Sequence, residues 1–194
     1  MDHSMILAPD SSCDLSHLLP GEIPLWNLVI AQFRLPEPTD HGASHWLNVL
    51  RNGMELCRHH PADAEIVRLF ALFHDSCRHD EFADPGHGPR GAQLAIDFRQ
   101  AGHFHLDDPR MEVLVTACRI HNGAMPQSEP TLAVCLDADR LDLGRVGITP
   151  DPLLLSTSTA KNIALRGAWP DLMTSGLHLF RFSQAAQIFF CKSG

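Results

Sequence analysis

Between residues 44 and 145 apolar residues recur at the helical period, and no stretch alternates long enough to read as a strand. Trp46, Val49, Leu50, Gly53, Met54 and Cys57 fall on one stripe of an amphipathic helix, with Ser44 as its expected N-cap. A second helix is predicted over 61–75. Pro61 suits its first turn, Asp63 and Glu65 complement the positive end of its dipole, and Ile66, Leu69, Phe70 and Phe73 form the buried stripe. A loop rich in Gly and Pro follows over 84–89, then a helix from Gly91 to Gly102. The next helix is punctuated by Asp108 as cap, Pro109 at the first position and Asn122-Gly123 at the end. A further helix starts near Pro130 and runs to Gly144. The pattern predicts an all-α, compact helical bundle.

Outside that region the signals thin out. Residues 1–40 form an N-terminal segment with one apolar stretch, 23–33, expected to make a short helix that packs on the main body of 41–194. Residues 146–155 read as a loop, 156–166 as a short capped helix and 177–190 as a last apolar helix. The Ser/Thr run at 156–159 suits either a helix cap or a contact with substrate. The start of the chain lacks a basic segment followed by a continuous apolar run, and no window reaches the length of a membrane span. The expectation is a cytoplasmic protein with no membrane partner.

Composition changes this picture in two ways. The formal net charge is −8, which disfavours a nucleic-acid partner because phosphate backbones are usually met by a basic stripe, yet it leaves room for a small phosphorylated substrate. Histidine is in excess, with 13 among 194 residues, and it is both a common metal ligand and a proton carrier near neutral pH. The six cysteines contain no C-x-x-C pair, so reduced thiols packed as small apolar groups are expected rather than a disulfide frame.

Helical phase then sorts the ionisable residues. Two His-Asp pairs lie five residues apart, at His74-Asp75 and His79-Asp80. The first follows directly on Phe70 and Phe73 at the end of an apolar helix, whereas the second sits among Arg78, Glu81 and Asp84 and reads as a solvated loop. His121 shares a stripe with Leu114, Ala117 and Cys118. Asp139 lies on a stripe with Leu132, Cys135 and Leu136, with Asp137 and Asp142 expected on its flanks. The string HGASHW at 41–46 offers His41 and His45. An inward carboxylate or imidazole is costly unless paired, and helical bundles build metal sites by aiming such side chains inward from several helices.

Taken in order, His45, the pair His74-Asp75 and Asp139 within DADRLDLG resemble the H…HD…D signature of the HD-domain superfamily of metal-dependent phosphohydrolases. The resemblance spans about residues 41–148, and HGASHW, LFALFHDSCR, HGPRGA and DADRLDLGRVGI are also similar to a group of uncharacterised bacterial HD proteins. It implies a helical bundle holding a divalent metal ion (Mn, Fe, Co, Ni, Zn or Mg) on His45, His74, Asp75 and Asp139. His87 and His121 match positions where some HD families hold a second ion or the substrate phosphate. The implied reaction is hydrolysis of a nucleotide or another small phosphate ester. Asp75 would then orient the attacking water, His121 or His87 would protonate the leaving oxygen, and Arg78 and Arg90 are the preferred cations for the developing charge, ahead of Arg119, Arg140, Arg145 and Lys161. Two other classes stay open: an HD-like diiron oxygenase and a non-catalytic metal or nucleotide sensor.

Overall fold

Residues 17–167 of the computed structural model are described here, and among them every regular element is helical. The α-helices are α1 (Ile23–Ile30), α2 (Ala43–Cys57), α3 (Ala64–Phe73), α4 (His87–Gln100), α5 (Asp108–Ile120), α6 (Pro130–Arg140) and α7 (Ser158–Arg166), with short 3-10 turns at Pro20–Glu22, Leu143–Val146 and Pro152–Leu154. None of the described helices is long and apolar enough to cross a membrane. The expected apolar helix at 177–190 lies outside the described residues, as do Cys13 and Cys191; Cys57, Cys77, Cys118 and Cys135 are free thiols.

At the centre is α3. Its residues Ile66, Val67, Leu69, Phe70, Ala71, Leu72 and Phe73 are all buried, because α2, α5 and α6 pack around it. A helix covered on several sides is apolar nearly all round, and α3 fits that rule. The chain leaves α3 at His74-Asp75 in the interior of the bundle. On one side α1 buries Leu25, Trp26 and Val29, and the Trp26 and Phe33 rings meet Trp46 of α2 edge-on at 6.0 and 5.1 Å.

Caps differ from the sequence expectation by a residue or two. Gly42, not Ser44, precedes α2; Asp63 itself caps α3, accepting from the Glu65 and Ile66 amides; and Asp107, not Asp108, caps α5 through the Arg110 amide. In each case the neighbouring polar residue was also a competent cap by type. Thr157 caps α7 by accepting from the Ala160 amide, so the cap reading of the Ser/Thr run describes what is seen there.

The larger correction concerns α4. The segment expected as loop up to Pro89 is already helical from His87. Gly88, which suggested a loop, serves a different purpose: a Cβ there would run into the Cys118 carbonyl of α5, as one at Gly91 would into the Phe73 carbonyl of α3. Side-chain-free positions let α4 press backbone to backbone against both neighbours. This sets His87 across from His121 and beside the end of α3.

Candidate metal centre

Five helices deliver six ligand-type side chains to one place. His45 comes from the first turn of α2, His74 and Asp75 from the end of α3, His87 from the first position of α4, His121 from the end of α5 and Asp139 from the last turn of α6. They form two groups, His45–His74–Asp139 and Asp75–His87–His121, each with its ligand atoms within 4.8 Å of one another.

Asp75 faces both groups. Its Oδ2 lies 3.6 Å from His45 Nε2 and 4.0 Å from His74 Nε2, while its Oδ1 lies 3.2 Å from His87 Nε2 and 3.5 Å from His121 Nε2. Within the groups, His45 Nε2 sits 3.1 Å from His74 Nε2, and His87 Nε2 sits 2.9 Å from His121 Nε2. Asp139 Oδ1 closes the first group, 3.3 Å from His45 Nε2 and 3.8 Å from His74 Nε2.

Each imidazole is oriented from behind through Nδ1. His45 donates to Asp142 Oδ2 at 2.8 Å; His74 shares its Nδ1–H between the Phe70 and Ala71 carbonyls, both at 3.1 Å; His121 donates to the Cys118 carbonyl at 2.8 Å; and His87 donates to the Asp84 carbonyl. These partners fix the tautomer, leaving four Nε2 lone pairs directed at two carboxylates. Acceptors facing acceptors in a buried space need a cation among them. Neighbouring ligand atoms on an octahedral ion, at metal–ligand distances of about 2.1 Å, stand roughly 3 Å apart, which matches the imidazole spacings seen here. The residues present fit a divalent metal, and the orienting carboxylate and carbonyls are the usual outer partners of histidine ligands.

Electrostatics without an ion agree. Burial opposes charge on His45, yet the Asp139 and Asp142 carboxylates outweigh it and raise its pKa; burial likewise opposes His121, and Asp75 raises it. His74 has no such partner at hydrogen-bond distance, and burial pushes it down to about 3. Burial also lowers His87. Asp75 and Asp139 both lie well below the usual carboxylate range: burial alone would raise them, but the surrounding imidazoles outweigh it.

Several sequence-derived candidates are placed elsewhere. Arg90 is tied to Asp84 and to the Cys77 carbonyl, so its guanidinium braces the 77–86 loop instead of reaching the ligands. Arg78 does reach them, with Nη1 3.3 Å from Asp75 Oδ1 and 3.5 Å from His87 Nε2. His79 and Asp80 are exposed, and Asp80 caps the Phe82 and Ala83 amides. Arg140 holds the Leu154 and Ala124 carbonyls. The flanks assigned to α6 need correction. Asp137 is fully buried, because its two oxygens accept from the Ser156 and Thr157 amides at 2.8 and 2.7 Å, and Asp142 touches the site directly by orienting His45. His41 belongs to the same neighbourhood, with Nδ1 2.9 Å from Asp75 Oδ2, and Arg145 stands behind it. A signal for Asp142 was available: it lies one turn beyond Asp139, on the same side of the helical path.

Comparison with known proteins follows the same lines. No curated protein matches the chain. Its structure is similar to the crystal structure of a predicted HD superfamily hydrolase from an uncultured Thermotogales bacterium, with a TM-score of 0.63 and 25% identity, over 79% of this chain and 90% of that one. The HD domain model matches residues 42–144, a span that begins just before His45, contains both groups of ligands and ends just after Asp142. The chain therefore belongs to the HD domain family.

Proposed function

We propose that this chain is a metal-dependent phosphohydrolase acting on a nucleotide or another small phosphate ester. The observation that carries the reading is the position of Asp75, whose two oxygens face two separate groups of oriented imidazoles. The solved structure described as a predicted HD superfamily hydrolase supports it. In this reading His45, His74, Asp139 and Asp75 hold one divalent ion and Asp75, His87 and His121 a second. Such ions, when bound, would supply Lewis-acid charge toward a phosphoryl oxygen and a nucleophilic water at neutral pH.

The chain's own residues do the rest. Asp142 and the Phe70, Ala71, Asp84 and Cys118 carbonyls hold four imidazoles in the orientation that exposes Nε2 to the centre. His87 and His121 aim that nitrogen at Asp75, so we assign them as ligands and not as the acid that protonates a leaving group. Arg78 places a fixed positive charge beside Asp75, where charge on a transferring phosphoryl group needs stabilising. The buried walls keep bulk water away from the reacting atoms and strengthen each of these interactions.

The test joins elemental analysis of protein purified in metal-free buffer to a panel of phosphate esters, with wild type and Asp139→Ala side by side. Expected are bound transition metal and ester hydrolysis in the wild type, and loss of both in the variant. Full metal content and turnover in Asp139→Ala would overturn the site. A mixed-valence iron pair without phosphatase turnover would favour the oxygenase class, and tight metal binding with no turnover across the panel would favour a sensor.

A further inference from the structure

The six candidate ligands are shut in unevenly. The side chains of His45, His74, Asp75, His87 and His121 are between 0 and 4% exposed, whereas Asp139, Arg145, Asp142 and His41 are 16, 15, 13 and 11% exposed. These four mark an edge along which the centre meets solvent, so a substrate arriving there meets Arg145 early.

Arg145 is unusually well fixed for an arginine at such an edge. Its Nε donates to the Asp40 carbonyl at 2.7 Å and its Nη1 to the Asp142 carbonyl at 3.2 Å, which hold the plane of the guanidinium. The third contact is of a different kind. Arg145 Nη2 lies 3.2 Å from His41 Nδ1, but the same ring nitrogen lies 2.9 Å from Asp75 Oδ2. One imidazole nitrogen can donate or accept, not both. The buried carboxylate at the shorter distance takes its N–H, and Arg145 Nη2 is left facing another donor. A rigid guanidinium with an N–H unanswered among the described residues, at the entrance to a metal centre, is a ready partner for an anionic oxygen.

Charge balance points the same way. Around this entrance three carboxylates, Asp75, Asp139 and Asp142, meet two guanidiniums, Arg78 and Arg145, so carboxylates outnumber guanidiniums there. Divalent ions reverse that sign. An anion would then be drawn in only when the centre is loaded, with Arg145 as the fixed donor at its outer edge.

We propose that Arg145, held by the Asp40 and Asp142 carbonyls beside His41, is the substrate-binding residue that takes the phosphate oxygens at the entrance to the metal centre. The identity of the anion rests on the phosphohydrolase reading above; the presence of an anion-binding arginine does not. Arg78 lies on the other oxygen of Asp75, beside His87. Arg90, which the sequence favoured, faces the 77–86 loop.

The probe is inorganic phosphate, titrated calorimetrically into metal-loaded wild type, Arg145→Gln and Arg145→Lys, with metal content and thermal midpoint measured on each. Expected is phosphate binding by the wild type that weakens on the order of tenfold or more in Arg145→Gln. Arg145→Lys should recover part of the loss, because it restores the charge without the fork, and metal content should be unchanged in both. Wherever a phosphate ester is hydrolysed, Arg145→Gln should raise KM more than it lowers kcat. Phosphate binding within twofold of wild type in Arg145→Gln would overturn the proposal, as would a loaded wild type that binds no phosphate. Loss of metal in both variants would also overturn it, by making Arg145 a support for Asp142 and His45. The two readings fail separately: ester hydrolysis with an unchanged KM in Arg145→Gln rejects this residue alone, and Arg145-dependent phosphate binding without any hydrolysis rejects the reaction alone.

Discussion

The two halves of the metal centre share Asp75 but are built differently. In the His45–His74–Asp139 half, His45 rests on a carboxylate, Asp142, and two more carboxylate oxygens, from Asp75 and Asp139, face the same imidazole. In the Asp75–His87–His121 half both imidazoles rest on backbone carbonyls, Asp75 is the sole carboxylate of the group, and the Arg78 guanidinium lies 3.3 Å from Asp75 Oδ1 and 3.5 Å from His87 Nε2. A cation gains more where negative charge is concentrated and loses where another cation stands close. The first half should therefore hold its ion more tightly, and the second should be the one that a chelator empties first. On the two-ion reading, the six-residue centre would pair one strong site with one that is tuned down.

The widest consequence comes from the shared group. Asp75→Asn keeps the shape of the side chain but removes the charge that both halves use, and it also takes the partner from Arg78. Expected are loss of both ions on elemental analysis and a fall in ester hydrolysis on the order of a thousandfold. One ion retained at wild-type affinity would mean that the two halves are independent of each other.

A narrower change should separate the halves. Gly88 is where α4 meets α5, and a methyl group there would push on the Cys118 carbonyl, which orients His121, and on the His121 ring itself. Gly88→Ala should cost roughly 1–3 kcal/mol of stability through overpacking. Disturbing the outer partner of a ligand should weaken the second ion by about 10–100-fold. Asp139 and His45 lie on other helices, so the first ion should stay. Competition with a graded chelator reads both ions in one experiment, and equal loss of the two would show that the halves do not differ in the way argued here.

Much of this arrangement was legible in the sequence. The helical period alone separated His74-Asp75 from His79-Asp80, and it put His121 and Asp139 on inward stripes, because an apolar helix must turn one face to the core and whatever ionisable group shares that face goes with it. What escaped the pattern depended on contacts between distant segments. The Gly and Pro residues at 84–89 look like a loop in one dimension, yet Gly88 is there because the backbone of α5 occupies the space. Asp137 was expected on a flank and is buried, since its oxygens cap amides some twenty residues ahead, at Ser156 and Thr157. Arg90 is near the ligands in sequence but is held by Asp84, whereas Arg145, far along the chain, returns to His41. Periodicity reports which way a side chain faces and is silent on what meets it.

The smallest expected effect asks how well the centre is insulated from its own scaffold. Asp63 caps the N-terminus of α3, the helix whose other end carries His74 and Asp75, and Arg110 clasps its carboxylate with contacts of 2.7 and 2.9 Å. The Arg110 hydrogen bonds, joined by the Ile66 and Glu65 amides, hold the Asp63 carboxyl below its usual range against the opposing effect of partial burial. A carboxylate whose folded pKa lies below its unfolded one stabilises the fold above the unfolded value, near 4, and that contribution disappears as pH falls through the folded value. Asp63→Ala removes the cap and should cost about 1 kcal/mol at pH 7. In metal-free protein the gap between wild type and variant, read from urea unfolding, should narrow steadily below about pH 4 as the wild-type carboxylate takes up its proton. At pH 7 the loaded variant should keep both ions at wild-type affinity, because the cap acts on the first turn of α3 and the ligands stand beyond its last. Weaker metal binding in Asp63→Ala would show instead that α3 carries strain along its whole length to the centre. A gap that stayed constant as the pH fell would assign the lost stability to something other than the charge on Asp63.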